Sequence, residues 1–412
     1  MIAIVGGGAA GLSAAAALRE LGYDGELRLL AAEPVPPYER PLLSKRFLVD
    51  AALDAPPPLR PPSALAELGI APELGVEAVA LEPAERLLRT ARGEELRYDR
   101  LLLAPGAEPR RLELPGASLR GVHVLRELDD ARALRANLRE RHAVAIVGGG
   151  VIGLEVAASA LALGADVTVV EAAPQVMGRV VPAGFAQLLA ELHRARGVAI
   201  RTAVQPVAFE GADGRVRGVR LADGALVPAQ TVVVGVGAVP RTALAARAGL
   251  AVDGGIVVDA RFASSDERVF AAGDAARVFH TREERHVRFE QWQVAEDQGR
   301  HAAASMLGVG EPYGDVPWMW SDQGELHMQA TGFGFDGAEI VRRGTLEERA
   351  GVAFLGVRDG QLVAACGVSV GAGVGRTIRA AQRLIEHRVA VDAEQLADPA
   401  LELRRLARAH AS

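Results

Sequence analysis

A glycine motif that occurs twice limits what this chain can fold into. Residues 2–5 form a short apolar run, followed by Gly6, Gly8 and Gly11 and then by a segment rich in alanine and leucine. In a strand–turn–helix unit, the first glycine permits the tight turn, the second lets the backbone approach a pyrophosphate, and the third lets helix and strand pack closely. The helix N-terminus then offers amide N–H groups to the phosphates. The segment therefore predicts a dinucleotide-binding unit.

The same pattern returns in the middle of the chain, with Gly148, Gly150 and Gly153 between an apolar strand and a helix. An acidic residue follows the second strand of each unit, Glu33 in the first and Glu171 in the second. Such a carboxylate can accept hydrogen bonds from ribose hydroxyls. The charge of Glu171 repels a 2′-phosphate and no arginine follows at once, so we expect NADH rather than NADPH. Two complete motifs predict two dinucleotides, and hence electron transfer between two cofactors.

Composition narrows the class of protein further. At 412 residues the chain is long enough for more than one domain, and its net charge of −6 argues against nucleic acid or an anionic membrane as the main partner. No apolar run approaches the ~20 residues of a membrane span, and the first residues lack the basic region and cleavage site expected of a signal peptide. The histidines lack metal-ligand spacing, so no metal is expected. Cys366 is the one cysteine, in an apolar run that predicts a buried structural thiol. We expect a cytoplasmic protein.

Two later segments complete this arrangement. Residues 231–241 read as a strand that runs into a glycine turn, which would close the second nucleotide-binding unit. Residues 266–278 contain a strand followed by Gly273 and Asp274. A carboxylate at a strand end can accept from the ribityl hydroxyls of a flavin, and an ordinary Gly-Asp turn is the alternative.

Motifs along nearly the whole chain carry a family resemblance. They are IVGGGAAG, PYERPLLSK, YDRLLLAPGAEPR, LRELDDA, IVGGGVIGLE, FAAGD, RFEQW and VPWMWSDQG. In these segments the chain resembles the FAD-dependent pyridine nucleotide reductases, and most closely the NADH:ferredoxin reductases of bacterial oxygenase systems. Two positions depart from the family pattern: Pro105 stands where Thr is usual, and Val294 where Asn is usual.

The resemblance implies an α/β fold with two doubly wound, Rossmann-like dinucleotide-binding domains and a C-terminal α+β domain. The implied domains are a split FAD-binding domain of residues 1–112 and 245–312, an inserted NADH-binding domain of residues 113–244, and a C-terminal domain of residues 313–412. The sequence supports the last of these independently. Short strands with a hairpin signal at Asp359 and Gly360 precede a helical pattern over residues 376–387.

Lys45 is the only lysine among the 46 basic residues. In the family, the lysine of this motif lies near flavin N5 and pairs with the glutamate of the second glycine motif, here Glu155. A fixed cation in a water-poor site stabilises the negative charge that hydride brings to the ring, and an ammonium is more compact than a guanidinium. The alternatives are a surface lysine and an exposed helix glutamate. Trp320 is expected as the aromatic beside the flavin, with a core tryptophan as the alternative.

The resemblance also assigns the other cofactor contacts. Arg40 and Arg126 are expected at the pyrophosphate or ring edge, and Asp274 at the ribityl chain. The backbone N–H of Trp292 is expected at flavin O2, and the backbone of Ala78 at adenine. The FAD set is Gly6, Gly8, Ala10, Gly11, Glu33, Arg40, Lys45, Ala78, Ala104, Gly106, Arg126, Gly273, Asp274, Glu290 and Trp292. The NADH set is Gly148, Gly150, Ile152, Gly153, Glu155, Glu171, Arg179 and Gly237.

The absence of cysteine near the first motif bears on where the electrons leave. Disulfide-, peroxide- and CoA-disulfide-reducing enzymes of similar fold carry a redox-active cysteine there, and this chain has none. The electrons must then leave from the flavin itself, and the resemblance implies a [2Fe–2S] ferredoxin that feeds an oxygenase. Rubredoxin is an alternative acceptor. An NADH oxidase and a non-catalytic flavoprotein like apoptosis-inducing factor are alternative functions. The sequence leaves open which ferredoxin and oxygenase are served; a monomer or weak homodimer is expected.

Overall fold

The computed structural model describes residues 1–140, 142–178, 180–348 and 350–409. The strands are β1 (Ile2–Val5), β2 (Leu27–Ala31), β3 (Pro72–Leu74), β4 (Ala78–Glu82), β5 (Leu87–Thr90), β6 (Glu95–Arg97), β7 (Arg100–Leu103), β8 (Ala107–Pro109), β9 (Val122–His123), β10 (Ala143–Val147), β11 (Asp166–Val170), β12 (Ala199–Arg201), β13 (Pro206–Ala212), β14 (Arg215–Leu221), β15 (Leu226–Pro228), β16 (Thr231–Val234), β17 (Ala238–Pro240), β18 (Ile256–Val258), β19 (Val269–Ala271), β20 (Ala276–His280), β21 (Arg285–Val287), β22 (Trp318–Gln323), β23 (Leu326–Gly332), β24 (Glu339–Arg343), β25 (Val352–Arg358) and β26 (Gln361–Val370). The helices are α1 (Ala9–Glu20), α2 (Arg46–Val49), α3 (Pro62–Glu67), α4 (Leu128–Leu138), α5 (Val151–Ala162), α6 (Ala183–Ala195), α7 (Ala243–Arg247), α8 (Trp292–Met306), α9 (Gly375–Glu386), α10 (Ala393–Ala397) and α11 (Leu403–Ala409).

The chain divides into two compact units, each assembled from separate segments. The first unit comprises Met1–Glu39, Pro57–Glu108 and Ala238–Asp315, and the second comprises Arg40–Pro56, Pro109–Gly237 and Val316–Ser412. The finer division predicted from the sequence, with boundaries after residues 112, 244 and 312, stays a prediction.

The first unit contains a five-stranded parallel sheet in the order β3-β2-β1-β7-β19. β1 and residues 101–103 of β7 are apolar and buried because both faces of a parallel sheet are covered. The small residues of α1 let α8 approach closely: a Cβ on Gly299 of α8 would lie 2.2 Å from the carbonyl oxygen of Ala10. An antiparallel sheet of β4, β5 and β6 and a three-stranded sheet of β18, β20 and β21 complete this unit.

The second unit repeats the parallel arrangement, in the order β12-β11-β10-β16-β9. α5 follows β10 directly and packs against β11. A separate antiparallel sheet of β13, β14 and β15 lies in the segment between β12 and β16. The predicted strand in residues 231–241 is therefore confirmed as β16, which pairs with β10 in the core of the second parallel sheet.

The last part of the second unit is a five-stranded antiparallel sheet in the order β22-β23-β26-β25-β24. The predicted hairpin turn is confirmed: Asp359 and Gly360 join β25 to β26 with φ of 51° and 68°. α9 packs on this sheet through Ile378, Leu384 and other apolar residues. Cys366 on β26 is fully buried, and burial raises the pKa of its thiol, as expected for a structural cysteine.

The sheet orders confirm the predicted α/β class with an α+β segment at the C-terminal end. β7 and β19, which precede Gly106 and Gly273 in sequence, pair with each other in the first parallel sheet. Within the described residues, no helix is long and apolar enough to cross a membrane. Nor does the described part of the chain bring three or more His, Cys, Asp or Glu side chains together in a metal-binding group.

Candidate functional site

The first glycine turn joins β1 to α1. Gly6 has a φ of 113°, and a Cβ there would lie 2.0 Å from the carbonyl oxygen of Ala104. A Cβ on Gly11 would lie 1.8 Å from the carbonyl oxygen of Gly6. Gly8 differs, because its φ of −75° suits any residue and a Cβ there would meet nothing within 4 Å. Packing within the chain therefore requires glycine at positions 6 and 11, whereas position 8 faces open space.

The second glycine turn, between β10 and α5, has the same construction. Gly148 has a φ of 110°, and its Cβ would lie 2.4 Å from the carbonyl oxygen of Gly235. A Cβ on Gly153 would lie 2.0 Å from the carbonyl oxygen of Gly148. At Gly150 the φ is −80° and nothing lies within 4 Å of a built Cβ. Both turns thus leave open the one position at which a nucleotide-binding turn lets a pyrophosphate approach the backbone.

A carboxylate lies just past the second strand of each unit. Glu171 accepts hydrogen bonds from the N–H groups of Gly149 and Ala173, each at 2.7 Å. Glu33 accepts from the hydroxyl of Tyr38 at 2.7 Å. The bond from Gly149 ties Glu171 to the second glycine turn itself. A carboxylate has about four acceptor sites, so Glu171 keeps capacity for the ribose hydroxyls of a nucleotide.

Lys45 and Glu155 form a buried ion pair in the second unit. The ammonium Nζ lies 3.0 Å from Glu155 Oε1, and the side chains are 13% and 4% exposed. Ser321 Oγ donates to the same carboxylate at 2.6 Å, and Ser44 Oγ donates to its other oxygen. Ser159 holds Ser44 in turn by donating to its carbonyl oxygen at 2.8 Å. These distances exclude both alternatives, a surface lysine and an exposed helix glutamate.

Burial dominates the electrostatics of this pair. It raises the pKa of Glu155, while Lys45, Ser321 and Ser44 oppose that rise. A charge removed from water is costly unless it is paired and hydrogen-bonded, and Glu155 is both. The pair therefore supplies a fixed cation whose countercharge is built into the chain.

Trp320 lies on the same strand as Ser321 and presents its ring to Lys45. The ammonium is 5.8 Å from the ring centroid, within the range of a cation–π contact. Trp318 stacks on Trp320 with ring centroids 5.4 Å apart and an angle of 20°. Both rings are partly exposed, so Trp320 is not a fully buried core residue. A flat aromatic surface beside a cation suits a conjugated ring system.

The structure brings some of the other predicted FAD residues together. Arg40 donates to the carbonyl oxygen of Arg126 at 3.1 Å, so these two arginines are neighbours in the second unit. In the first unit, a Cβ on Gly273 would lie 3.0 Å from Ala10, which places the FAAGD turn against the first glycine turn. The carbonyl oxygen of Asp274 accepts from Arg288 at 3.3 Å.

Of the remaining predicted residues, Glu290 is joined to Asp274 through Arg288, and the others lie on several different elements. Glu290 accepts from Arg288 at 2.6 Å, and Trp292 begins α8. Ala78 begins β4, in the small antiparallel sheet, and Gly106 follows β7 with a φ of 73°. On the NADH side, Ile152 is 41% exposed in the first turn of α5, and Gly237 accepts from the N–H of Arg110 at 2.9 Å. Arg179 lies outside the described residues.

Sequence reasoning missed several polar residues around Glu155. Ser44 and Ser321 adjoin Lys45 and Trp320 in sequence, and that adjacency was the one available signal for them. Gln323 and His193 are both 1% exposed and extend the same hydrogen-bond network. His193 lies on α6, and no local pattern marks its contact with Gln323.

Two family models match the chain. The pyridine nucleotide-disulphide oxidoreductase model matches residues 1–299, and the reductase C-terminal model matches residues 318–407. The chain therefore belongs to the pyridine nucleotide-disulphide oxidoreductase family, and it is an oxidoreductase. Membership implies a flavin and NAD(H), and the two glycine turns with their open second positions fit two such dinucleotides.

Individual reductases resemble this chain over most of its length. A probable ferredoxin reductase of Castellaniella defragrans is 38% identical over 407 residues, which cover 98% of each chain. A rubredoxin-NAD(+) reductase of Pseudomonas putida is 39% identical, over 80% of this chain and 86% of that protein. Among solved structures, the covalent putidaredoxin reductase–putidaredoxin complex matches with a TM-score of 0.92 and 33% identity, over 99% of this chain and 98% of the other.

Proposed function

We propose that the protein is an NADH-dependent ferredoxin reductase that binds FAD and passes electrons to a [2Fe–2S] ferredoxin, which feeds a monooxygenase or dioxygenase. The observation that carries the proposal is the buried Lys45–Glu155 pair beside Trp320, in a chain that also holds two open glycine turns. The similarity to ferredoxin and rubredoxin reductases over most of the chain supports it.

When bound, the flavin would supply a hydride acceptor for NADH and one-electron chemistry toward the protein acceptor. The turn at Gly8 would hold the FAD pyrophosphate, and the turn at Gly150 that of NADH. Glu171 would accept from the NADH ribose. The Lys45 ammonium would stabilise negative charge near N5, and Glu155 would balance that cation when no negative charge faces it. Trp320 would lie against the ring system.

Within the described residues, the cysteine is not suited to carry electrons away from the flavin. Cys366 is fully buried within β26, and burial raises the pKa of its thiol. The thiolate is the reactive form of cysteine, so Cys366 is suited to packing rather than redox exchange. A one-electron protein acceptor is the exit that the similarity to ferredoxin and rubredoxin reductases favours.

An exposed basic face on α9 fits such an acceptor. Arg376, Arg379 and Arg383 are all exposed and lie about one helical turn apart on a helix whose other face is buried. We call them the α9 arginines. Ferredoxins are typically acidic, and the chain has a net charge of −6, so a local basic patch would be needed to steer encounter. An ordinary solvated helix face is the alternative.

We further propose a cytoplasmic monomer or weak homodimer.

The test is NADH-dependent reduction of a panel of purified [2Fe–2S] ferredoxins and rubredoxins, followed at their visible absorption bands. We expect tightly bound FAD in the purified protein and rapid reduction of at least one ferredoxin. Rapid reduction of rubredoxins alone would make the protein a rubredoxin reductase. Rapid NADH consumption with oxygen and no protein acceptor would instead establish an NADH oxidase, and the proposal would be wrong.

A further inference from the structure

A line of buried polar side chains extends from Glu155 Oε1, the carboxylate oxygen that Lys45 also contacts. Ser321 Oγ donates to Glu155 at 2.6 Å, and Gln323 Nε2 donates to Ser321 Oγ at 3.1 Å. His193 Nε2 lies 2.7 Å from Gln323 Oε1. The side chains of Ser321, Gln323 and His193 are 0%, 1% and 1% exposed. We call Glu155, Ser321, Gln323 and His193 the buried polar chain.

The direction of each hydrogen bond follows from what each group can donate. A carboxylate only accepts, so the Ser321 hydroxyl donates to Glu155. The Ser321 oxygen then accepts from the amide nitrogen of Gln323, which leaves the amide oxygen facing His193. An amide oxygen also only accepts, so Nε2 of His193 must carry the proton that it donates. Hydrogen-bond donation along the buried polar chain therefore runs in one direction, from His193 to Glu155.

The state of His193 agrees with this direction. Burial lowers the pKa of His193 below its ordinary value; the hydrogen bond with Gln323 opposes this shift and Arg196 adds to it, so the neutral ring with one proton is favoured near pH 7. That proton is the one on Nε2. At the other end, the charged group that faces Glu155 is Lys45. Asp322, whose pKa His327 lowers, is a second carboxylate that Lys45 influences.

If the oxygen and nitrogen of the Gln323 amide exchanged positions, the direction of hydrogen-bond donation would reverse. With Oε1 toward Ser321, the Ser321 hydroxyl would donate to Gln323 instead of Glu155. Glu155 would then keep only Ser44 and Lys45 as donors, in a position that is 3% exposed to water. A buried carboxylate that loses a donor takes up a proton more readily, and the new acid could donate to Ser321. The orientation of one buried amide thus affects the charge on Glu155.

We propose that Gln323 and His193 are positioning residues that keep Glu155 ionised and, through it, keep the Lys45 ammonium in place. His193 fixes the Gln323 amide, the amide fixes the Ser321 hydroxyl, and the hydroxyl donates to the carboxylate. The inference rests on the proposed function for the role of Lys45 beside the flavin. The charge on Glu155 is a property of the protein itself and can be measured without an electron acceptor.

Two substitutions at His193 form a matched pair. His193→Gln keeps an N–H that can donate to the Gln323 amide oxygen, and His193→Met has similar size and shape but no donor. The protonation of Glu155 is measured from the carboxylic acid C=O band in infrared spectra of the purified protein across pH, with Glu155→Gln used to assign the band. We expect the midpoint to rise by about one pH unit in His193→Met and to stay at the parent value in His193→Gln.

Equal midpoints in the two His193 variants would overturn the inference. If His193→Met does not fold, Ser321→Ala removes the donor directly and Ser321→Thr retains it, and the same contrast is expected between them. The pH dependence of flavin reduction by NADH should move with the infrared midpoint, which a purely structural role would not produce. Failure to reduce any ferredoxin or rubredoxin would reject the proposed function and leave the infrared contrast intact. Ferredoxin reduction without that contrast would reject this inference alone.

Discussion

Removing the ammonium of Lys45 tests the centre of the proposed site. In Lys45→Met the side chain keeps a similar length but loses its charge, which stands 3.0 Å from Glu155 Oε1. At that distance and an effective dielectric constant near 20, the attraction between unit charges is about 5.5 kcal/mol. Part of it is offset by the desolvation of both groups. If ~3 kcal/mol of stabilisation is lost from the transition state, flavin reduction slows roughly a hundredfold.

The assay is stopped-flow reduction of the bound flavin by NADH, together with the midpoint potential of the flavin. We expect a slower rate and a lower potential in Lys45→Met. Lys45→Met also leaves a buried carboxylate without its partner, so adding Glu155→Gln should restore part of the loss. Arg46→Met is the matched control, because the neighbouring Arg46 is 67% exposed and its ion pair among the described residues is the surface pair with Asp50, across one helical turn. Rates in Lys45→Met equal to those in Arg46→Met would refute the catalytic assignment.

Three further predictions concern the nucleotides and the acceptor. Gly8→Ala should lower flavin content without lowering the thermal stability of the apoprotein, because its Cβ meets nothing in the chain, whereas Gly11→Ala should lower both; equal stability losses would contradict this. Glu171→Ala with Ala172→Arg should raise the ratio of kcat/KM for NADPH over NADH by about tenfold, equivalent to ~1.4 kcal/mol; equal use of both nucleotides by the parent would remove the basis for it. Reversing the charge of the α9 arginines should raise the KM for ferredoxin at low salt and leave dye reduction unchanged; an unaltered KM would place the docking surface elsewhere.

Local patterns predicted the parts of the fold that depend on near neighbours in sequence. The glycine turns follow from spacing alone, because Gly6 and Gly11 meet each other across one turn of chain. The hairpin at Asp359 and Gly360 is equally local. Pairing Lys45 with Glu155 required the family resemblance, since the two residues lie far apart in sequence. No spacing rule relates segments that meet only through tertiary packing.

The buried polar chain lies beyond sequence reasoning for the same physical reason. Ser321 and Gln323 alternate with Trp320 and Asp322 along β22, so the strand period predicts that the two pairs face opposite sides of the sheet. It does not predict which side meets Glu155. His193 contacts Gln323 although the two residues lie 130 positions apart in sequence. A lone histidine on an amphipathic helix gives no sign of such a partner.

Apart from Lys45, all Lys-plus-Arg positions of this chain are arginine. The contacts of Glu155 explain why residue 45 is a lysine. The carboxylate already accepts from Ser44 and Ser321, which leaves about two of its four acceptor sites. An ammonium has three donors on one compact atom and can place one on Glu155 while its remaining charge faces outward. A guanidinium would bring five donors in a rigid plane to a position where the Lys45 side chain is 13% exposed, and these donors would need acceptors beyond the Glu155 oxygen that Lys45 contacts. Lys45→Arg should therefore impair flavin reduction although it conserves the charge, because the site selects for the size and donor count of the cation.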